Sequence, residues 1–103
     1  MLEEFSTEAR EDHVQLDTAL QFQPPAPGNP SAIRDLTPRE REVLLVLSHG
    51  ASNREIGTEL GIAERTTKAH LTKIMAKIRV NSRTEAALFA YAHHHRIVLG
   101  NGS

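Results

Sequence analysis

Cysteine and tryptophan are both absent from the 103 residues, and aromatics make up only 4% of them. Without thiols there are no disulfides and no thiolate metal sites, so apolar packing, mostly aliphatic, has to hold any fold together. The redox compartment stays open. No apolar run approaches the roughly 20 residues that a membrane-spanning helix needs, and the acidic N-terminus resembles neither a secretory nor a transit signal. A soluble cytoplasmic protein without a membrane partner is the expectation. The chain also lacks a glycine-rich phosphate loop, a nucleophile–base pairing and metal-ligand spacing, so no enzyme, cofactor or metal is expected. His93, His94 and His95 do not change this, because consecutive helical positions diverge by about 100° and cannot converge on one ion. His49 and His70 are isolated in sequence, and His70, beside an apolar stripe, is expected to donate an internal hydrogen bond. A chain of 103 residues holds one domain plus a tail, with a small core.

Charge is present but unevenly spread. The formal net charge is −1, yet residues 1–35 hold seven acids against two bases, while residues 36–103 hold ten Lys and Arg against six Glu. That asymmetry places an acidic arm beside a basic surface. Within residues 1–23, Leu2, Phe5, Ala9, Leu16, Ala19 and Leu20 recur at mixed three- and four-residue steps, broken at Asp12-His13, which predicts an amphipathic helical arm. A helix of that length is marginal alone and needs a partner surface. Residues 24–35 contain Pro-Pro-Ala-Pro-Gly-Asn-Pro-Ser, which favours extended chain, and they are read as a linker.

Residues 36–99 predict four helices, followed by a tail at 100–103. Thr37-Pro38-Arg39-Glu40, Ser52-Asn53-Arg54-Glu55 and Ser82-Arg83-Thr84-Glu85 each set a hydroxyl three residues ahead of a glutamate. That is the spacing of a capping box, in which the two side chains satisfy N–H groups left free by the first turn. The first helix, about 38–48, turns Val43, Leu44 and Leu47 inward, with Leu36 placed like half of a hydrophobic staple. The second, about 53–60, buries Ile56 and Leu60 and stops at Gly61, after which Ile62 is expected to plug the core. The third, about 64–79, carries Thr67, Leu71, Ile74 and Ile78 on one face, with Met75 at its edge. The fourth, about 83–95, packs some of Ala86, Ala87, Phe89, Ala90 and Ile97. Only Leu60-Gly61-Ile62-Ala63 separates the second and third helices, a helix–turn–helix spacing. Opposite the aliphatic stripe of the third helix lie Arg65, Lys68, Ala69, Thr72, Lys73 and Ala76. Small residues such as Ala69 and Thr72 let a helix approach base edges in a major groove, and Lys68 and Lys73 reach guanine acceptors or phosphates. The bland alternative is a solvated charged face, which the short preceding turn disfavours.

Residues 36–91 resemble the LuxR/FixJ/NarL-type helix-turn-helix. The resemblance runs through Leu-Thr-Pro-Arg-Glu-Arg-Glu-Val-Leu, Gly-Ala-Ser-Asn-Arg-Glu-Ile-Gly-Thr-Glu-Leu-Gly-Ile, Arg-Thr-Thr-Lys-Ala-His-Leu-Thr-Lys-Ile and Arg-Thr-Glu-Ala-Ala. It implies an all-α, four-helix DNA-binding output domain of bacterial transcription regulators, here with an additional N-terminal amphipathic helix. By the resemblance, Lys68, Ala69, Thr72 and Lys73 fall where bases are read. Asn53, Arg54, Arg65 and Thr66 fall where phosphates are held. The fourth helix is the dimer contact, with Ala86, Ala87, Ala90 and Tyr91 as its candidates. The partners implied are double-stranded DNA and a second copy, with RNA polymerase or a regulatory protein beyond them. A protein-interaction module is the alternative, in which the helix-turn-helix or the acidic arm binds a protein or covers the DNA face.

Two positions depart from the family pattern. Ala63 stands where a capping hydroxyl is usual, a loss of roughly 1 kcal/mol. Thr67 replaces a valine and, if buried, must return its hydroxyl to a helix carbonyl. Such domains are also generally fused to a receiver or ligand-binding domain, which 35 preceding residues cannot form. The expectation is therefore either a single-domain regulator or the output half of a longer protein.

Overall fold

The computed structural model describes residues 26–100, so the arm predicted for 1–23 and the end of the tail lie outside the described residues. The described chain is all-helical. A short 3₁₀ helix, Pro30–Asp35, precedes α1 (Pro38–Leu47), α2 (Asn53–Leu60), α3 (Glu64–Ile78), α4 (Arg83–Ala92) and α5 (His94–Leu99). None of these is long and apolar enough to cross a membrane.

Local chemistry sets the helix starts. At α1, the Glu40 N–H donates to Thr37 Oγ1 at 3.1 Å while the Thr37 N–H donates to Glu40 Oε1 at 2.9 Å, and Pro38 fills the first position, where no N–H is needed. Ser52 and Glu55 repeat the reciprocal box at α2, at 3.1 and 2.8 Å. The third box is only half formed. The Glu85 N–H donates to Ser82 Oγ, but the Glu85 carboxylate accepts from Asn81 N–H at 2.7 Å instead of from Ser82.

The core gathers Val43, Leu44 and Leu47 from α1, Ile56 from α2, Leu71, Ile74 and Ile78 from α3, Ala86, Phe89 and Ala90 from α4, and Ile97 from α5. Leu60 and Met75 pack at its edge. Leu36 is buried as a staple would require, but the residue it would face in the first helix is Arg41, whose guanidinium donates to Leu36 O at 3.2 Å.

The linker is shorter than its proline content suggests. Ala32 and Ile33 are buried in the core, and the Asn29 N–H donates to Ile78 O at 2.7 Å, tying the chain to the end of α3. Asn29 Oδ1 caps the 3₁₀ turn by accepting from the Ser31 N–H at 3.2 Å, with Pro30 at its first position. Gly28 sits so close beneath α4 that a Cβ there would lie 2.5 Å from Phe89 Cδ2.

The fourth helix also ends earlier than predicted. His93 leaves helical geometry, its ring 4.7 Å from that of Phe89, and α5 then turns Ile97 into the core against α1. Burial, reinforced by the nearby Arg96 charge, holds the His93 imidazole below its ordinary pKa.

Candidate nucleic-acid interface

The turn between α2 and α3 is held by backbone contact more than by side-chain plugging. The Ile62 N–H donates to Gly57 O at 2.9 Å. A Cβ on Gly57 would meet Ile62 O at 2.5 Å, so only glycine admits the turn this close to α2. Ile62 itself stays partly exposed, outside the core, in contrast to the plug expected of it. No side chain caps α3 at Ala63. Thr67 is fully buried and its hydroxyl donates to Ala63 O at 3.3 Å, which satisfies the group that replaces an aliphatic side chain there.

The two faces of α3 differ sharply. Thr67, Leu71, Ile74 and Ile78 are buried, whereas Arg65, Thr66, Lys68, Ala69, Thr72, Lys73 and Ala76 are exposed. Thr72 donates its hydroxyl to Lys68 O at 3.1 Å, within the helix. Among the described residues the ion pairs are Arg39–Glu42 and Lys77–Glu40, so Arg65, Lys68 and Lys73 have no carboxylate partner there. A stripe of unpaired cations flanking small side chains presents positive charge without the bulk that would block close approach. Asn53 and Arg54 sit at the first turn of α2, the former half-buried and the latter exposed.

Lys77, on the same helix, serves the fold. Its ammonium lies 2.8 Å from Glu40 Oε1 and donates to Asp35 O at 3.1 Å. Glu40 is only 3% exposed. Burial pushes its carboxyl up, but the hydrogen bond from Lys77 and that from the Thr37 N–H, with the Lys77 and His70 charges, outweigh burial and hold it below its ordinary value. The sequence marked Glu40 only as a cap, because nothing local shows its second partner 37 positions away. His70 is half-buried and its imidazole makes no hydrogen bond to any described residue, contrary to expectation; what it adds is charge near Glu40.

The dimer candidates divide. Ala86 and Ala90 are fully buried and offer no surface to a second copy, because both share the face of α4 that carries Phe89 into the core. Ala87 is half-buried against that core. Tyr91 is 78% exposed and Leu88, three residues earlier, 53%, so the outward stripe of α4 runs through a leucine that the sequence reading passed over. Among the described residues no group of His, Cys, Asp and Glu could hold a metal ion.

Comparison with known proteins agrees with this geometry. Residues 34–90 match the family described as bacterial regulatory proteins, luxR family. Over 59 residues the chain is 46% identical to the transcriptional regulatory protein LiaR of Bacillus subtilis, and over 59 residues 41% identical to the response regulator protein VraR of Staphylococcus aureus. Over 61 residues it is 44% identical to the transcriptional regulatory protein LnrK of Bacillus subtilis. The first two alignments cover 57% of this chain and the third 59%, but each covers only 28% of the relative, so the chain spans little more than a quarter of these curated relatives. No solved structure matches it.

Proposed function

The chain belongs to the luxR family of bacterial regulatory proteins, and from that premise we propose that residues 36–99 bind double-stranded DNA with α3 in the major groove and regulate transcription in the cytoplasm. One observation carries the reading: a core-locked helix turns a row of small residues and three cations, without carboxylate partners among the described residues, to solvent. In this arrangement Lys68, Ala69, Thr72 and Lys73 face base edges. Arg65, Thr66, Asn53 and Arg54 hold phosphates from the starts of two neighbouring helices, where free N–H groups add to the positive field. Two copies associate through the outer stripe of α4, Leu88 and Tyr91, and address half-sites about one helical turn apart. RNA polymerase or a regulatory protein would then engage a surface other than these two.

The test is a titration of the full chain against duplexes selected from a random-sequence library, repeated across salt concentrations. Affinity falls linearly with salt on logarithmic axes if phosphates are neutralised, and a flat response refutes the reading. Lys68→Ala is expected to cost about 1–3 kcal/mol and to relax base preference. A loss of equal size on every sequence would reassign Lys68 to a phosphate.

A further inference from the structure

The first residue of α4 reaches across to the start of α2. One terminal nitrogen of the Arg83 guanidinium, Nη1, donates to Asn53 Oδ1 and the second, Nη2, to the Ala51 carbonyl, so a single planar fork closes on two acceptors. Asn53 is the first residue of α2 and one of the positions assigned above to a phosphate. With its carbonyl oxygen engaged by Arg83, the amide of Asn53 has one orientation left, and its NH₂ group points away from the guanidinium. That NH₂ donates to no described residue. Ala51, whose carbonyl takes the second bond, precedes the Ser52 cap, so the same fork also fixes the chain entering α2.

We propose that Arg83 is a positioning residue for DNA binding: its fork locks the Asn53 amide so that the free NH₂ is presented to a backbone phosphate. The inference rests on the DNA-binding reading. Two of the guanidinium's five N–H donors are spent on these protein carbonyls, and lysine lacks the rigid planar fork that holds both acceptors in one geometry. The role assigned to Arg83 is orientation of the Asn53 amide, and the salt slope separates that role from a direct charge contact with DNA.

The experiment compares wild type, Arg83→Ala, Arg83→Lys, Asn53→Ala and the Arg83→Ala/Asn53→Ala pair in the full chain, on a duplex that wild type selects from a random-sequence library, across salt. Thermal unfolding of each variant is recorded beside it. Arg83→Ala is expected to weaken binding about tenfold, a loss of one hydrogen bond to a charged group, with the salt slope unchanged because Asn53 is neutral. Arg83→Lys should weaken it nearly as much. In the Asn53→Ala background, Arg83→Ala should have little further effect. Full rescue by lysine, together with a salt slope reduced by about one in Arg83→Ala, would overturn the proposal and make Arg83 itself a phosphate contact. Additive losses in the pair would also overturn it. If Arg83→Ala does not fold, the lysine variant decides alone: wild-type affinity sinks the idea. Absence of salt-dependent binding by wild type would instead sink the DNA-binding reading beneath it.

Discussion

The two ends of α3 are held by different means. At its C-terminal end, Ile78 O accepts the Asn29 N–H at 2.7 Å, Ile74 and Ile78 are fully buried, and Lys77 is tied to Glu40 and Asp35. At its N-terminal end, Ala63 supplies no cap, and Glu64, Arg65, Thr66 and Lys68 are exposed. Among the described residues, Thr67 and the turn against Gly57 fix that end from within. The difference teaches where a small helical domain can place rigidity. The anchoring polar groups sit away from the exposed cationic face, so among the described residues the cations at positions 65, 68 and 73 are not consumed in ion pairs.

If the turn is what fixes the weakly held end, Gly57→Ala has the largest effect. The new methyl would press on the Ile62 carbonyl, a backbone atom that cannot swing aside, and overpacking of this kind costs about 3 kcal/mol. Urea unfolding should show the midpoint falling with little change in slope. A loss below about 0.5 kcal/mol, the range of an ordinary surface substitution, would show that the turn relaxes and that the N-terminal end of α3 is held elsewhere.

Lys77→Met breaks the opposite end. It leaves a nearly buried Glu40 with only the Thr37 N–H, and because the lysine side is open to solvent the expected loss at neutral pH is about 2 kcal/mol. The pH dependence follows from the lowered carboxyl. Below an unfolded-state value of 4.5 the unfolded chain binds this proton more readily than the folded one, so the stability from Glu40 is present above that value and lost as pH falls through the folded one. In Lys77→Met, burial is no longer outweighed as fully, and the acid unfolding midpoint should move to higher pH. An unmoved midpoint in acid titrations followed by circular dichroism would mean that the pair does not hold α3.

Much of this contrast was legible in the sequence. Hydroxyl–glutamate spacings mark the starts of α1 and α2 because both halves of each box are local. The buried stripe of α3 reads directly from steps of four, three and four. Glu85 was misassigned to Ser82 because the Asn81 N–H competes for the same carboxylate, a choice made by loop geometry. The 3₁₀ turn was hidden by prolines, although Asn29 before Pro30 is a cap followed by a proline at an allowed first position. Ala86 and Ala90 read as core by periodicity and as dimer contact by the family resemblance, and their burial favours the first. Gly57 carried a signal that went unread, since glycine inside a helix costs about 1 kcal/mol and marks a close approach. The Glu40–Lys77 and Arg83–Asn53 contacts join residues far apart in the chain, and no local pattern reports them.

Ala63→Ser sharpens the comparison from the weak end. The position already has the extended geometry of a cap, φ −66° and ψ 152°, so a hydroxyl can reach the N–H groups of the next turn without rearrangement. A gain of about 1 kcal/mol is expected, or roughly 4–8 °C in a domain of this size. No rise in melting temperature would mean that those N–H groups are already satisfied.

The smallest effect is expected at the strong end, from Arg79→Gly. Arg79 closes α3 with φ 61° and ψ 53°, the one non-glycine residue among those described with a positive φ. A side chain in that left-handed region costs about 1–2 kcal/mol, and glycine returns roughly 0.5–1 kcal/mol of it as greater freedom in the unfolded chain. The net gain should be about 0.5 kcal/mol, measurable as a shift in denaturant midpoint. The strain persists because the end is already fixed by Lys77, Ile78 and Asn29, whose contacts over-determine the backbone there. A destabilised Arg79→Gly would show the arginine side chain itself anchoring α3, and the C-terminal end would then depend on one more contact than those that tie it now.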